Sequence, residues 1–254
     1  MTAPLVSVSV VSHGQAALVR ALLADLRQYA GDIALEVLLT VNLPEALPDN
    51  LANLPFEVRQ IHNTVPRGFG ENHNRAFAQS SGAYFCVVNP DIRIGQAVFS
   101  ALLSVLADAR IGVVAPLVVN SRGDVEDSAR LFPSPLKILC KALGRCREQD
   151  YAIETALVAP DWVGGMFMLF RSQVYRQVGG FNEKYFLYYE DVDLCARLWL
   201  QKLQVVLAPP VRVVHDAQRS SHRKFRYLRH HLGSMLRFFL SATYWRALYL
   251  RRMG

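Results

Sequence analysis

The first 120 residues alternate between short apolar runs and amphipathic segments, and this alternation constrains the fold more than any other feature. The apolar runs are rich in β-branched residues, as in LVSVSVVS, which is typical of strands buried on both faces. The strands predicted in this way are Leu5–Ser12, Leu35–Val41, Val58–Ile61, Tyr84–Val88 and Ile111–Val119, and the helices are Ala16–Tyr29, Glu71–Ser80 and Ala97–Ala109. Alternating strands and helices favour right-handed crossovers, which predicts an α/β fold with a Rossmann-like, mainly parallel central sheet flanked by helices.

Polar residues follow the predicted strands where each strand ends. They are His13, Asn42, His62–Asn63 and Asn89–Asp91. Ligands of such sheets bind beyond the carboxyl ends of the strands, so a ligand site is expected there. Asp91 could hold Mg²⁺ or Mn²⁺, which would neutralise a diphosphate. The alternative is a simple turn, because Asn-Pro-Asp has strong turn chemistry.

The second half of the chain is less regular. Residues 121–160 show no clear periodicity and are predicted to leave the sheet as a long excursion, with a short helix near Leu136–Leu143. Long loops of compact domains often contact substrates. Two further short strands are predicted at Gln204–Leu207 and Val211–His215. No repeat or low-complexity linker divides the chain into separate domains.

Three carboxylates, Glu190, Asp191 and Asp193, open a predicted helix directly after Tyr188 and Tyr189. Acids in the first turn of a helix are favoured by its dipole, which is one explanation of the cluster. The other explanation is a general base that deprotonates an incoming hydroxyl group. The tyrosines would partly desolvate such a carboxylate and raise its pKa.

Three further groups of residues are candidates for ligand binding. His215 ends a predicted strand and could bind a divalent metal together with Asp91, or it could be structural. The loop 219–223 contains Arg219 and Arg223, which could clamp a diphosphate or be solvated. Gly68 opens a predicted helix whose N–H groups could approach a phosphate. The GxGxxG, GK[ST], GxSxG and HExxH motifs are absent from the sequence.

The positive charge of the protein is concentrated at its C-terminus. The net charge is +7, and from Arg212 onward ten cations accompany one acid, Asp216, so this part carries +9 and the first 211 residues carry −2. Residues 223–254 are predicted to form a basic, amphipathic helical tail that contacts an anionic membrane surface. The alternative is packing on the domain or dimerisation. The predicted apolar face consists of Leu228, Leu232, Met235, Phe239 and Leu240.

Cysteine usage and hydropathy indicate a cytoplasmic protein. The four cysteines, Cys86, Cys140, Cys146 and Cys195, show no CxxC spacing, which favours reduced thiols. The N-terminus lacks a basic region followed by an apolar segment, so no signal peptide is predicted. No apolar run approaches the roughly 20 residues that span a bilayer. A nucleic-acid partner is not expected, because the charge lies on a terminal helix rather than in a groove with aromatic platforms.

Six segments, in their order along the chain, resemble the family 2 glycosyltransferases of the GT-A fold over about residues 5–222. The segments are VSVSVVSHG, RGFGENHNRAF, VVNPDI, WVGGMFMLFR, GGFNEKYFLYYEDVDLCARL and VVHDAQRSSH. The fifth is a long, ordered pattern and contributes most of the specificity. The resemblance is strongest for the bacterial rhamnosyltransferase-like branch, which builds surface polysaccharides.

The resemblance implies an inverting transfer from a nucleoside-diphosphate sugar to a hydroxyl group. It implies Asp191 as the catalytic base, Glu190 in a supporting role, and Asp91 and His215 as ligands of Mg²⁺ or Mn²⁺. Asn89 stands where the family has the first acid of its DxD-like motif, so the metal has fewer anionic ligands here. The residues implied to surround the donor are Ser12, His13, Asn42, Arg67, Gly68, Asn72, Asn89, Asp91, Trp162, Gly164, Gly165, Arg219 and Arg223.

The resemblance also implies an organisation and a substrate. Residues 1–222 would form the glycosyltransferase domain, with a donor half at 1–120 and an acceptor half at 121–222, followed by the tail. The expected donor is dTDP-rhamnose, ahead of UDP- or GDP-hexoses. The expected acceptor is a glycan or a lipid-linked molecule at the inner face of the bacterial inner membrane. A nucleotidyltransferase with a related sheet and a non-catalytic basic binding module are the alternatives.

Overall fold

A mixed sheet of eight strands forms the centre of the protein. The computed structural model describes residues 5–47, 51–135, 138, 140, 150–151, 155–215 and 224–253. The strands are β1 (Val6–Ser12), β2 (Leu35–Val41), β3 (Glu57–His62), β4 (Tyr84–Val88), β5 (Ile92–Arg93), β6 (Ile111–Val119), β7 (Ala129–Arg130), β8 (Trp162–Val163), β9 (Phe167–Arg171) and β10 (Gln204–His215). The helices are α1 (Ala16–Tyr29), α2 (Phe69–Phe77), α3 (Val98–Val105), α4 (Ser172–Gln177), α5 (Glu190–Leu200), α6 (Lys224–Phe239) and α7 (Ala242–Met253).

The strands lie in the order β3-β2-β1-β4-β9-β6-β10-β5, and β7 and β8 form a separate small ribbon. Strands β3, β2, β1 and β4 pair in parallel, as do β6 and β10. Strands β9 and β5 run antiparallel to their neighbours. The predicted α/β class with a mainly parallel central sheet is therefore confirmed.

Helices cover both faces of the sheet, which explains why its strands are apolar on both sides. On one face, Val8 of β1 packs with Leu22 of α1 and Leu102 of α3 in one buried cluster. On the other face, Phe85 of β4 and Tyr175 of α4 belong to a second cluster, with their ring centroids 4.8 Å apart. The polar residues predicted to form a ligand site follow the carboxyl ends of β1, β2, β3 and β4.

Strand β9 connects the two parallel blocks of the sheet. It comes from the apolar run after Gly165 and inserts between β4 and β6, so that Phe170 pairs with both Phe85 and Val113. The two strands predicted at the end of the sheet form the single strand β10. Its pairing with β6 is interrupted between Ala208 and Arg212, because Pro209 and Pro210 have no N–H group to donate.

Helices α2 and α3 end earlier than predicted, because the chain tightens into i→i+3 hydrogen bonds. After α2, the N–H of Ser80 donates to the Phe77 carbonyl, and after α3 the N–H of Asp108 donates to the Val105 carbonyl. The helix predicted near Leu136–Leu143 lies largely outside the described residues.

The tail forms two helices that pack on the domain, and only part of the predicted apolar face contributes to this packing. Phe238 and Ser234 of α6 are buried, whereas Leu228, Leu232 and Leu240 are about half exposed or more. Phe238 belongs to a buried cluster with Phe132, Tyr185, Tyr189, Val192, Ala196, Tyr244 and Ala247. The predicted face of Leu228, Leu232, Met235, Phe239 and Leu240 is therefore divided, because Met235 and Phe239 pack against the domain and the three leucines are exposed.

The cysteines divide into two kinds. Cys86 and Cys195 are free and fully buried, and burial raises the pKa of both thiols. Cys140 is disulfide-bonded, so the expectation of reduced thiols is wrong for this residue. None of the described helices is long and apolar enough to cross a membrane.

Candidate active site

Three asparagines organise the loop that follows β3, at the carboxyl ends of β1, β2 and β3. Asn42 accepts a hydrogen bond from the Arg67 backbone N–H (2.8 Å) and donates to the Arg67 carbonyl (3.0 Å). Its amide nitrogen also lies 3.1 Å from Nδ1 of His13. Asn63 donates to the side-chain oxygens of Asn42 (2.8 Å) and Asn72 (2.7 Å). The structure therefore brings together four of the residues expected around the donor, and adds Asn63.

This network determines which groups remain available to a ligand. Asn42 and Asn72 are buried and use their amides to hold the Arg67 backbone, so they shape the pocket. His13 is exposed beside them. Ser12 is fully buried, and its hydroxyl accepts a hydrogen bond from the Gln15 N–H (3.3 Å).

Gly68 joins this side of the site to the aromatic loop 182–189. A Cβ atom on Gly68 would lie 2.8 Å from the Phe186 carbonyl oxygen and 2.9 Å from its Cα atom. The next residue, Phe69, donates its N–H to the same carbonyl (2.9 Å). Only glycine permits this approach, so the residue expected to contact the donor also holds the aromatic loop. The Arg67 guanidinium meanwhile pairs with Glu71.

His215 meets two carboxylates where β4 and β10 end. Its Nε2 atom lies 3.2 Å from Oδ2 of Asp91, and its Nδ1 atom lies 2.7 Å from Oε2 of Glu126. Hydrogen bonding to Asp91 and Glu126 raises the pKa of His215 to about 9, although partial burial acts in the opposite direction. The predicted pair Asp91 and His215 is thus adjacent, and the carboxylate of Glu126, which the sequence pattern did not single out, completes the cluster.

The donor atoms of this corner suit a divalent cation that also binds a diphosphate. Oδ1 of Asp91 is buried and has no hydrogen-bond partner among the described residues. Carboxylate oxygen and imidazole nitrogen are suitable ligands for Mn²⁺ or Mg²⁺, and phosphate oxygens commonly complete the coordination of such ions. The described residues contain no ready-made cage of three ligand side chains, so water or diphosphate oxygens would supply the remaining ligands.

Asp191 lies at the start of α5 and binds the backbone on two sides. Its Oδ2 atom accepts the N–H of Gly165 (3.0 Å), and its Oδ1 atom accepts the N–H of Val192 (2.8 Å). Each carboxylate oxygen retains further acceptor capacity, so the group can still bind a hydroxyl. Asp193, by contrast, is buried and pairs with Nε of Arg197 (2.8 Å), which gives it a structural role in the helix.

The two adjacent acids have different environments. Burial raises the pKa of both, and the proximity of Asp191 raises the pKa of Glu190 further, to well above its ordinary range. Three backbone N–H groups, those of Gly165, Val192 and Asp191 itself, oppose the increase for Asp191. Glu190 has an oxygen, Oε2, with no partner among the described residues. These backbone hydrogen bonds favour the ionised form of Asp191, which suits it to the role of the base.

The loop before these acids has an unusual backbone. Tyr188 and Tyr189 both have positive φ angles, 69° and 68°, which cost about 1–2 kcal/mol each for residues with a side chain. Helix α6 holds this conformation: Ser234 donates to the Leu187 carbonyl (2.9 Å), and the ring of His230 stacks on Phe186 at 5.0 Å. The tail that was expected to bind a membrane also contacts the active-site loop.

The segment before β9 links Asp191 with the Asp91 corner. Gly165, which binds Asp191, is followed by Met166, whose carbonyl accepts the N–H of Asn89 (2.9 Å). Asn89 and Asp91 are two residues apart. The candidate base and the turn that contains the candidate ligand Asp91 are therefore both hydrogen-bonded to one short backbone segment.

The remaining predicted residues lie near this segment or outside the described residues. Gly164 donates its N–H to the Ser128 carbonyl (2.8 Å). Trp162 donates its indole N–H to the Leu131 carbonyl (3.0 Å), and the Arg130 guanidinium lies 5.5 Å from its ring centroid. Arg219 and Arg223 lie outside the described residues.

Comparison with known proteins agrees with the resemblance seen in the sequence. Residues 151–230 match the family model described as the N-terminal domain of galactosyltransferase. The chain is 31% identical over 187 residues to the N-acetylglucosaminyl-diphospho-decaprenol L-rhamnosyltransferase of Mycobacterium tuberculosis, an alignment that covers 65% of this chain and 61% of the relative. It is 26% identical over 247 residues to the rhamnosyltransferase WbbL of Escherichia coli K12, which covers 92% of each chain.

A solved structure agrees with the fold. The mannosyltransferase PcManGT of Pyrobaculum calidifontis, in complex with GDP-Man and Mn²⁺, superposes with a TM-score of 0.60 at 18% sequence identity. The superposition covers 93% of this chain and 65% of that one. The fold is the GT-A fold, and the similarity to rhamnosyltransferases is confirmed.

Proposed function

We propose that this chain, which has the GT-A fold and is similar to rhamnosyltransferases, is an inverting glycosyltransferase that moves a sugar from a nucleoside diphosphate to a hydroxyl acceptor. The observation that supports this most directly is that Asp191 and Asn89 are hydrogen-bonded to adjacent residues, Gly165 and Met166, and that Asp91, two residues after Asn89, contacts His215. One carboxylate base and one diphosphate-binding corner are what a single displacement requires.

Asp191 has the acceptor role in this proposal. It takes the proton of the acceptor hydroxyl while that oxygen attacks the anomeric carbon from the side opposite the diphosphate. The bond from this carbon to the diphosphate oxygen breaks, and the electron pair leaves with the diphosphate. Because no second carboxylate attacks the sugar, the configuration is inverted. Glu190 has the supporting role: its Oε2 atom, which has no partner among the described residues, would contact the acceptor.

Asp91 and His215 would hold the divalent ion, which when bound stabilises the negative charge of the leaving diphosphate. The Oδ1 atom of Asp91, which has no partner in the described part of the chain, supports this assignment. Arg219 and Arg223 remain candidates for additional diphosphate contacts. The Asn42–Arg67 network, with His13 exposed beside it, would surround the nucleoside.

The first choice of donor is dTDP-rhamnose, because both relatives are named as rhamnosyltransferases. UDP- and GDP-hexoses are the second choice. The test is release of nucleoside diphosphate from a panel of sugar nucleotides, with Mn²⁺ or with EDTA. Release of nucleoside diphosphate from dTDP-rhamnose, and from no other sugar nucleotide of the panel, would support the donor assignment. Undiminished turnover after thorough chelation would remove Asp91 and His215 from their proposed role.

The acceptor is proposed to be a glycan or a lipid-linked molecule, reached at the inner face of a bacterial inner membrane. The tail supports a membrane surface in two ways. Helices α6 and α7 contain seven Lys and Arg residues and no acid in 224–253. Their outward apolar residues are Leu228, Leu232, Leu236, Leu240, Trp245, Tyr249 and Leu250. Basic charge with exposed apolar side chains suits an anionic lipid interface.

Vesicle co-sedimentation tests this surface. We expect the protein to pellet with phosphatidylglycerol vesicles at low salt, and less with phosphatidylcholine. Leu236, 59% exposed, would insert its side chain, which is worth about 1.5–3 kcal/mol, so Leu236→Glu should weaken binding at least about tenfold. Leu157→Glu, at an exposed leucine outside the tail, is the matched control. Failure of the wild type to pellet would contradict the proposal.

A further inference from the structure

We propose that Glu126 is a positioning residue for the metal-binding histidine: it holds the Nδ1–H group of His215 and thereby directs Nε2 toward Asp91 and the cation. This inference rests on the metal site of the proposed function. The two contacts of His215 differ in length, 2.7 Å to Glu126 and 3.2 Å to Asp91. The shorter one involves the residue that would not contact the metal, as expected for a permanent partner.

The backbone around Glu126 is fixed by the sheet. Its N–H donates to the carbonyl of Val118 (2.9 Å), and Val125 bridges Val119. Val118 and Val119 pair in turn with Val213 and Val214 of β10, immediately before His215. The carboxylate is therefore held beside the imidazole by the registers of two strand pairings, rather than by a long, freely rotating loop.

The turn that precedes Glu126 is also closed internally. The N–H groups of Arg122 and Asp124 donate to the side-chain oxygen of Asn120 at 2.9 and 3.0 Å, and the N–H of Asn120 donates to the Asp124 carbonyl at 2.9 Å. A turn of this kind returns the chain to β6 in a defined geometry. A carboxylate that only balanced surface charge would not require such a support.

The chemistry of imidazole explains what the contact does. A neutral imidazole carries one N–H, and the atom bound to a carboxylate keeps it, so Glu126 places the proton on Nδ1 and the lone pair on Nε2. Such a partner fixes the ring of a metal ligand and increases its basicity; its loss typically weakens metal binding about 10–100-fold. In this site, the added basicity of His215 would strengthen metal binding where Asn89 replaces an anionic ligand.

The experiment compares metal affinity in three variants, without donor or acceptor, by titrating Mn²⁺ and measuring free Mn²⁺ by electron paramagnetic resonance. Glu126→Ala should weaken Mn²⁺ binding about 10–100-fold. Glu126→Gln keeps an acceptor for Nδ1–H but loses the charge, so it should lie between Glu126→Ala and the wild type. Asp124→Asn, an exposed carboxylate of the same turn paired with Arg122, is the control and should bind Mn²⁺ as the wild type does.

A second measurement distinguishes positioning from simple stabilisation. In EDTA, at a pH where the ring of His215 is neutral, its ¹⁵N shifts should report the Nδ1–H tautomer in the wild type. Glu126→Ala should lose this single tautomer although the variant remains folded. A purely structural role for Glu126 would leave the tautomer unchanged, and that result would overturn the proposal.

The outcomes separate this inference from the proposed function. Tight Mn²⁺ binding that depends on Glu126, in a protein that releases no nucleoside diphosphate from any sugar nucleotide, would support the positioning role and refute the transferase. Unchanged Mn²⁺ affinity in a folded Glu126→Ala protein would refute the positioning role alone. Absence of Mn²⁺ binding in the wild type, or equal losses in Glu126→Ala and Asp124→Asn, would also refute it.

Discussion

Replacing Asp191 by asparagine changes one oxygen of a carboxylate into an NH₂ group at almost constant size. The wild-type oxygens accept the N–H groups of Gly165 and Val192 at 3.0 and 2.8 Å. The asparagine can present its oxygen to only one of them. The other N–H then faces an NH₂ group, and an unsatisfied donor costs about 1–3 kcal/mol where it is shielded from water. Loss of a partly desolvated charge offsets some of this cost.

The effect on turnover should be larger than the effect on stability. General-base catalysis typically contributes about 10²–10⁴-fold, which corresponds to roughly 3–5 kcal/mol of activation free energy. We therefore expect kcat for transfer from dTDP-rhamnose to fall by at least about 100-fold in Asp191→Asn. The same substitution should lower Tm by only a few degrees, since about 1 kcal/mol corresponds to about 2–4 °C in a chain of this size.

Asp193→Asn provides the matched control, because it makes the same chemical change two residues further along α5. Asp193 is 1% exposed and pairs with Arg197, so its amide should cost stability of about 1–3 kcal/mol and leave kcat within about threefold. Initial rates and thermal unfolding of both variants are the measurements. A folded Asp191→Asn protein that transfers sugar within tenfold of the wild type would refute the assignment of the base, as would equal losses of kcat in the two variants.

Three further predictions concern the structure around the site. Gly68→Ala would place a Cβ atom 2.8 Å from the Phe186 carbonyl oxygen and displace the aromatic loop. We therefore expect kcat to fall and the free energy of unfolding to decrease by about 1–3 kcal/mol. Gly95→Ala, whose added Cβ atom has nothing within 4 Å, should change neither quantity. In EDTA, the folded-state pKa of His215 is about 9 against an ordinary 6.5, so its stabilising contribution is complete below pH 6.5 and is lost as the pH rises through about 9. After allowance for solvent screening, this contribution is about 1–2 kcal/mol. The Tm of the wild type should therefore decline between pH 6 and 10, and the Tm of His215→Gln should not show this decline. An equal decline in the variant would contradict the prediction. Phe238→Ala removes a fully buried ring and should cost about 3–5 kcal/mol, measured by urea unfolding; a cost below 1 kcal/mol would show that α6 is not docked.

Most of the sheet could be predicted from the sequence because its strands are buried on both faces. Such strands form continuous β-branched runs, and the predicted strands at Leu35–Val41, Tyr84–Val88 and Ile111–Val119 agree with the structure to the residue. The antiparallel direction of β9 could not be predicted, because an apolar run does not indicate which strands it pairs with or in which direction it runs beside them. The interrupted β10 could not be predicted as one strand, because Pro209 and Pro210 resemble a break between two strands.

The candidate site was predictable where a residue type acts alone and not where a distant partner defines the role. Asp91, Asp191 and His215 are chemically distinctive at strand and helix ends, so the pattern indicated them. Glu126 and Ser234 are ordinary residues until the fold places them 2.7 Å from His215 and 2.9 Å from the Leu187 carbonyl, 89 and 47 positions away in the sequence. The tail was predicted as a helix with one apolar face, and only packing reveals that Phe238 points inward and Leu236 outward.

The aromatic loop connects helix α6 of the tail with the candidate active site, so the proposed membrane surface and the proposed base share one structural element. The loop ends in two left-handed tyrosines, a conformation that costs free energy and persists only when its surroundings impose it. Phe69 binds the Phe186 carbonyl from one side, and Ser234 of α6 binds the Leu187 carbonyl from the other. Because Glu190 and Asp191 follow directly, the position of the proposed base depends on both contacts. A lipid surface that binds the outward leucines of α6 would therefore act on the same helix that holds this loop.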